Sequence, residues 1–152
     1  MPLTHLGSQE MLQVIMTNTL KSFSTTVELA LFTQAAGGPG AAPDDNPASG
    51  AAGTDVLEID TGTGYAREPT TFGTATAASP SVISNTNLLA YTQATAQWGS
   101  TTHPTGFVGG WVVYDTSATE IPVWVGAFNT AKQVLNLDTV SIAMGDLTLQ
   151  LD

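Results

Sequence analysis

The spacing of apolar positions changes twice along the chain. From Ser8 to Phe23, the residues Leu12, Ile15, Met16, Leu20 and Phe23 recur at helical spacing. Ser8 stands as an N-cap, Glu10 falls in the first turn and Lys21 lies near the end, each where the helix dipole favours it. The pattern predicts one amphipathic N-terminal helix. From Thr25 to Thr33 the period shortens to two: Val27, Leu29 and Leu31 alternate with Glu28 and Ala30, which is strand spacing. Ala35 to Gly53 then has no period. Its Gly, Ala, Pro, Asp and Ser give it little to bury, and the expectation is a flexible loop within one domain.

From Thr54 onward short apolar runs alternate with turn residues. The predicted strands are Val56 to Asp60, Tyr65 to Phe72, Leu88 to Tyr91, Ala94 to Trp98, Gly106 to Tyr114, Ile121 to Phe128, Thr139 to Met144 and Leu147 to Leu151. The last alternates cleanly, with Leu147, Leu149 and Leu151 on one face and Thr148 and Gln150 on the other. The expectation is one all-β, mainly antiparallel domain over residues 1–152. Its architecture would be a β-sandwich or jelly roll over residues 54–152, with the helix at 8–23 and the loop at 35–53.

Charge narrows the partners. The 152 residues carry 13 acidic and 3 basic side chains, a net charge of −10. Lys21, Arg67 and Lys132 are far apart in sequence, whereas phosphate binding needs clustered cations, so neither nucleic acid nor an anionic membrane is an expected partner. Only 11% of residues are charged, which suits strands with covered or half-wet faces, and equally a protein held in a larger assembly or a low-charge secreted β-domain. With no cysteine there is no disulfide framework and no thiolate metal site. Met1 to Glu10 has neither a basic region nor an apolar core, so no signal peptide is expected.

Few motifs carry chemistry. Asp60-Thr61-Gly62 has the aspartic-protease tripeptide, with Leu57 and Ile59 before it and Val125-Gly126 as a remote apolar support; such an enzyme would be a dimer pairing two aspartates. The plainer reading is a β-turn. Gly62-Thr63-Gly64 lacks the third glycine of a dinucleotide site, and Pro69 forbids the helix that would follow. His5 and His103 have no local carboxylate spacing for zinc, and His103 reads as a solvated loop residue. Asp55, Glu58 and Asp60, or Asp44 and Asp45, are oxygen-ligand clusters that suit weak calcium binding or, more plainly, a solvated face. No catalytic residue, cofactor or metal is assigned. Trp98, Trp111 and Trp124 fall on three predicted strands, as core residues or as an exposed row for a sugar or a protein. Arg67, the only arginine, sits beside Tyr65 and Glu68 and is expected to make a charge-assisted hydrogen bond or to stack on an aromatic ring.

Gly62-Thr63-Gly64-Tyr65-Ala66-Arg67 resembles the Gly-Gly-Tyr-Ala-Arg segment of small phage virion proteins often labelled tail fibre proteins. Gly53-Thr54-Asp55-Val56 stands where that family has Gly-Thr-Glu-Val, and Ala94-Thr95-Ala96-Gln97-Trp98-Gly99 matches its Ala-Thr-Ala-x-Trp-Gly block. Thr102-His103, Tyr114-Asp115, Lys132-Gln133-Val134, Gly145-Asp146 and Leu147-Thr148-Leu149 follow in family order. Thr63 interrupts the glycine pair, Pro104, Gly109 and Gly110 lengthen the segment before Tyr114, and Leu137 precedes Asp138 where the family carries glycine.

The resemblance implies a non-enzymatic virion component, assembled in the host cytoplasm, that binds other virion proteins. Size and low charge favour a head decoration (cement) protein on the capsid shell. The alternatives are a tail fibre or baseplate adaptor, or a carbohydrate-binding receptor module using Trp111 and a Gly106 to Gly110 loop. A homodimer or homotrimer is expected. The helix and the 35–53 loop are the candidate contact elements, with Tyr65, Arg67, Trp98, Trp111 and Trp124 as structural or interface residues.

Overall fold

The most apolar stretch of the chain becomes its central strand. In the computed structural model, which describes residues 27–35, 37–43, 56–76, 80–100, 103–116 and 121–151 together with Ser8, Gln9, Leu12 and Met16, the strands in chain order are β1 (Val27–Gln34), β2 (Val56–Glu58), β3 (Glu68–Thr70), β4 (Ser81–Ser84), β5 (Leu89–Ala90), β6 (Phe107–Asp115), β7 (Ile121–Lys132), β8 (Ser141–Ile142) and β9 (Thr148–Leu151). The main sheet runs β2-β1-β6-β7, with β3 joining β2 on the same edge of β1, and every pairing is antiparallel. β4 pairs with β9 and β5 with β8 as two separate ribbons.

Alternation in β1 and β6 sorts the core onto two faces. Leu29, Leu31, Val108, Trp111 and Val113 face a cluster completed by Leu89 and Leu149 from the ribbons and by Tyr65, Tyr91, Ala94, Trp98, Val134 and Leu147 from loops. Ala30, Phe32, Val112, Tyr114 and Val125 form a second buried cluster on the opposite face. Because both faces are covered, β6 is buried from Val108 to Asp115 and reads as a continuous apolar run. Full burial of each Val or Leu is worth roughly 1.5–3 kcal/mol, so these two clusters carry most of the driving force.

Four expectations need correction. The second layer, among the described residues, is two ribbons and connecting loops rather than the continuous second sheet of a sandwich or jelly roll. The helix expected at 8–23 falls outside the described residues except at Ser8, Gln9, Leu12 and Met16. Those four have helical backbone, yet Leu12 and Met16 are exposed rather than buried in a stripe, and the helix is not supported as an element of the fold. Ala94 to Trp98 is not a strand: its backbone bonds are divided among partners, Ala94 N–H to Asp138 O, Trp98 N–H to Val134 O and Thr95 N–H to Thr63 O.

The fourth concerns the Gly-rich segment. Residues 44–53 lie outside the described residues, but Gly37 to Pro43 is tied down. Gly40 N–H donates to Phe128 O, Gly38 O accepts from Ala131 N–H, and Ala41 N–H donates to the Gln34 side chain. The segment crosses where the β6–β7 register slips between Val108 and Gly110. A β-carbon at Gly40 would overlap Phe128 O and Gly109 O, and one at Gly110 would overlap Ala41 O. The glycines permit a backbone crossing that no side chain would allow.

Candidate interaction site

β1 is edged by two short strands, β2 and β3, with a gap between them. Ile59 N–H donates to Leu31 O across that gap. Two tyrosine hydroxyls complete the edge: Leu31 N–H donates to Tyr65 Oη at 2.9 Å, and Tyr91 Oη donates to Leu29 O at 3.1 Å. Tyr65 arrives there because the chain turns tightly just before it. A 3-10 turn over Thr61–Thr63 starts at Asp60, whose carbonyl accepts from Thr63 N–H, and Gly64 closes it at φ 81°, a left-handed conformation that favours glycine. The Asp60-Thr61-Gly62 tripeptide is therefore a turn. Asp60 is exposed, while Val125 and Gly126 pair with Val112 and Trp111 in the main sheet.

Arg67, three residues past that turn, forks onto Glu58. Its Nε and a terminal nitrogen donate to the two carboxylate oxygens at 2.6 and 2.7 Å. Its guanidinium carbon also lies 4.0 Å from the centroid of the Tyr114 ring. Tyr65 Oη donates to the same Glu58 at 3.1 Å. Glu58 thus ties β2 to the segment after the turn, and Arg67 carries the link on to β6 through Tyr114. Burial pushes the Tyr65 and Tyr91 hydroxyls far above the ordinary phenol range and moves Tyr114 up to about 12. Burial works to lower Arg67, but the hydrogen bonds and charge of Glu58 outweigh it and leave Arg67 raised. Three neutral phenols and a permanent cation form a clamp, and none of the four exchanges protons near neutrality. Replacing Arg67 by lysine keeps the charge and loses the planar fork. Arg67→Lys should therefore destabilise by roughly 1–2 kcal/mol, read as a lower urea midpoint at unchanged slope.

The tryptophans are spent on the interior. Trp98 is 0% exposed and meets Tyr65 and Tyr91 edge-on at 5.5 and 5.9 Å. Trp111 is 3% exposed and packs over Gly126, and half-buried Trp124 packs against the same core. The stretch from Phe107 onward is strand, not loop. A sugar platform built on Trp111 and a Gly106 to Gly110 loop is therefore overturned.

The other chemical candidates separate. Glu58 is committed to Arg67 rather than to calcium, and Asp44, Asp45, Asp55 and His5 lie outside the described residues. His103 is half-buried in a hydrogen-bonded loop with Ser100 and Gly106. Among the described residues, no group of three or more His, Cys, Asp or Glu is placed to hold a metal ion. Sequence reasoning singled out Tyr65 and Arg67 but missed Glu58, Tyr91 and Tyr114 as their partners. A lone arginine in an acidic chain signals an ion pair, but it does not say which of 13 carboxylates answers it.

A hollow of about 660 Å³ opens beside the clamp, lined by Glu28, Glu58, Asp60, Thr61, Tyr65 and Arg67 among others. Of its polar groups, Glu58, Tyr65 and Arg67 are engaged in holding the turn to the sheet. Fold and site together define an all-β protein in which Tyr65, Arg67 and Trp98 are engaged in internal packing and hydrogen bonds. The family model of the Podophage GP4 fiber I protein gp80 matches residues 2–150, and the chain belongs to that family, a bacteriophage structural protein of fibre type. No curated protein matches the chain.

Proposed function

We propose that this chain is a non-enzymatic fibre module of a tailed-phage particle, attached to the tail or its adaptor region rather than decorating the head shell. The observation that carries this reading is the match to a fibre protein family over residues 2–150. The unit is short: β7, the longest strand among the described residues at 12 residues, spans only about 40 Å. Its work is to bind other virion proteins through apolar and backbone surface, and as a repeated particle component it is expected to be a homodimer or homotrimer. Its aromatic residues stabilise the domain instead of reading a ligand. Immunogold electron microscopy of purified particles, with an antibody to this chain, tests the placement. Gold at the tail is the expected result. Gold spread over the heads would reinstate the decoration reading, and unlabelled particles free of the chain by mass spectrometry would remove both.

A further inference from the structure

Beside the C-terminal half of β7 lie two hollows of about 620 and 390 Å³, a trough in two parts, both lined by Phe128 and Ile142. Val108, Val140 and Leu147 add to its apolar lining. On its lip stands Leu137, 67% exposed, with Leu135 two residues away at 48%. Leu137 is also the described non-glycine residue with positive φ, at 72°. Its N–H donates to Ala94 O and its carbonyl accepts from the Gln93 amide, both at 2.8 Å, while Asp138 Oδ2 accepts from Leu135 N–H. Those bonds hold the backbone in the left-handed region. Glycine would make the backbone bonds without the β-carbon strain and without an apolar side chain in water. A leucine here opposes folding on two counts, and strain of that kind points to a role outside the fold.

We propose that this trough is the docking site for an apolar segment of another virion protein, flanked by lysine or arginine, with Leu137 as its principal contact. The proposal rests on the fibre-module reading above and adds the surface and the chemistry of the partner. Charge selects the occupant. Exposed Asp138 and Asp146 line the two hollows against the single cation Lys132. The whole chain carries −10, so a second copy brings like charge to the same place, whereas a basic-flanked segment meets complementary carboxylates.

Leu137→Gly separates docking from folding, because the two readouts should move in opposite directions. Thermal unfolding should shift up by about 1–3 °C as backbone strain is relieved. Binding of the purified variant to particles made without this chain should weaken about tenfold or more relative to wild type. Asp146→Lys, an exposed turn substitution, should weaken binding several-fold and leave unfolding unchanged. Wild-type occupancy by both variants would overturn the docking proposal while leaving the fibre reading intact. Failure of the wild-type chain itself to bind such particles would remove the fibre reading and this inference with it. A wild-type dimer in sedimentation velocity that Leu137→Gly dissociates would assign the trough to a second copy and overturn the proposed occupant.

Discussion

Asn85→Ala should destabilise the domain by about 2–4 kcal/mol, a large share of the roughly 5–15 kcal/mol typical of a domain. Asn85 is 2% exposed and uses its amide completely. The Nδ2 group donates to Asn87 O at 2.8 Å and Ala143 O at 3.0 Å, and Oδ1 accepts from the N–H groups of Gly145 and Leu147, both at 3.0 Å. Its own N–H donates to Leu147 O. One side chain thus fixes the end of β4 to the turn that starts β9. Alanine would leave Leu147 N–H without an acceptor beside the buried Leu147 and Leu149. Ala143 and Gly145 are exposed, so water would replace part of what they lose, which holds the estimate below the sum of four buried bonds. Asn85→Asp has nearly the same shape but no donor. Near neutral pH it would set a carboxylate against two carbonyl oxygens, and it should be at least as damaging as alanine. Urea unfolding of both variants checks this: an aspartate variant close to wild type would mean the amide donors contribute little.

This node also marks where the fold could be read from the chain and where it could not. Strands with strong local pattern were legible. β1, β6, β7 and β9 fall within or beside the expected segments, and Leu147 and Leu149 are both buried as their alternation requires. β4 was not expected. Ser-Val-Ile-Ser is four residues without a clear period, and what makes it a strand is remote: its pairing with β9 and the bonds of Asn85 to residues some sixty positions away. Order in the sheet is likewise non-local, since β1 pairs with β6 across some eighty residues, a contact that leaves no mark on local spacing. Ala94 to Trp98 failed for a different reason. Ala94 and Trp98 are buried as a strand's inward residues would be, but the segment bonds to two loops instead of one ladder. Composition misled at Gly37 to Pro43, because glycines that permit close backbone approach look in sequence like glycines that permit motion. Leu137 is the inverse case. A leucine stands there, yet the backbone takes a φ of 72°, which favours glycine, and nothing in the local spacing marks it.

Trp98 gives the second large effect and the sharper contrast. Trp98→Ala should cost about 3–5 kcal/mol, the usual range for emptying a fully buried aromatic site. The loss would not stay local. Trp98 stands at 77° to both Tyr65 and Tyr91, which stack on each other 6.1 Å apart. Those two tyrosines carry the hydroxyls that complete the edge of β1 at Leu29 and Leu31. A cavity at Trp98 therefore loosens the rings that hold β2, β3 and the Arg67–Glu58 clamp in register, and the 59–67 turn should lose amide-exchange protection first. Trp98→Phe should behave very differently. The buried indole Nε1 has no hydrogen-bond partner among the described residues, and a buried donor left unsatisfied costs about 1–3 kcal/mol. Phenylalanine removes that donor while retaining most of the ring area, and the smaller cavity works against the gain. The net change should lie within about 1.5 kcal/mol of wild type. Equilibrium unfolding of the two variants side by side tests the argument. If phenylalanine proves as destabilising as alanine, the indole N–H is hydrogen-bonded in the folded protein, and the triad is held by polarity rather than by packing.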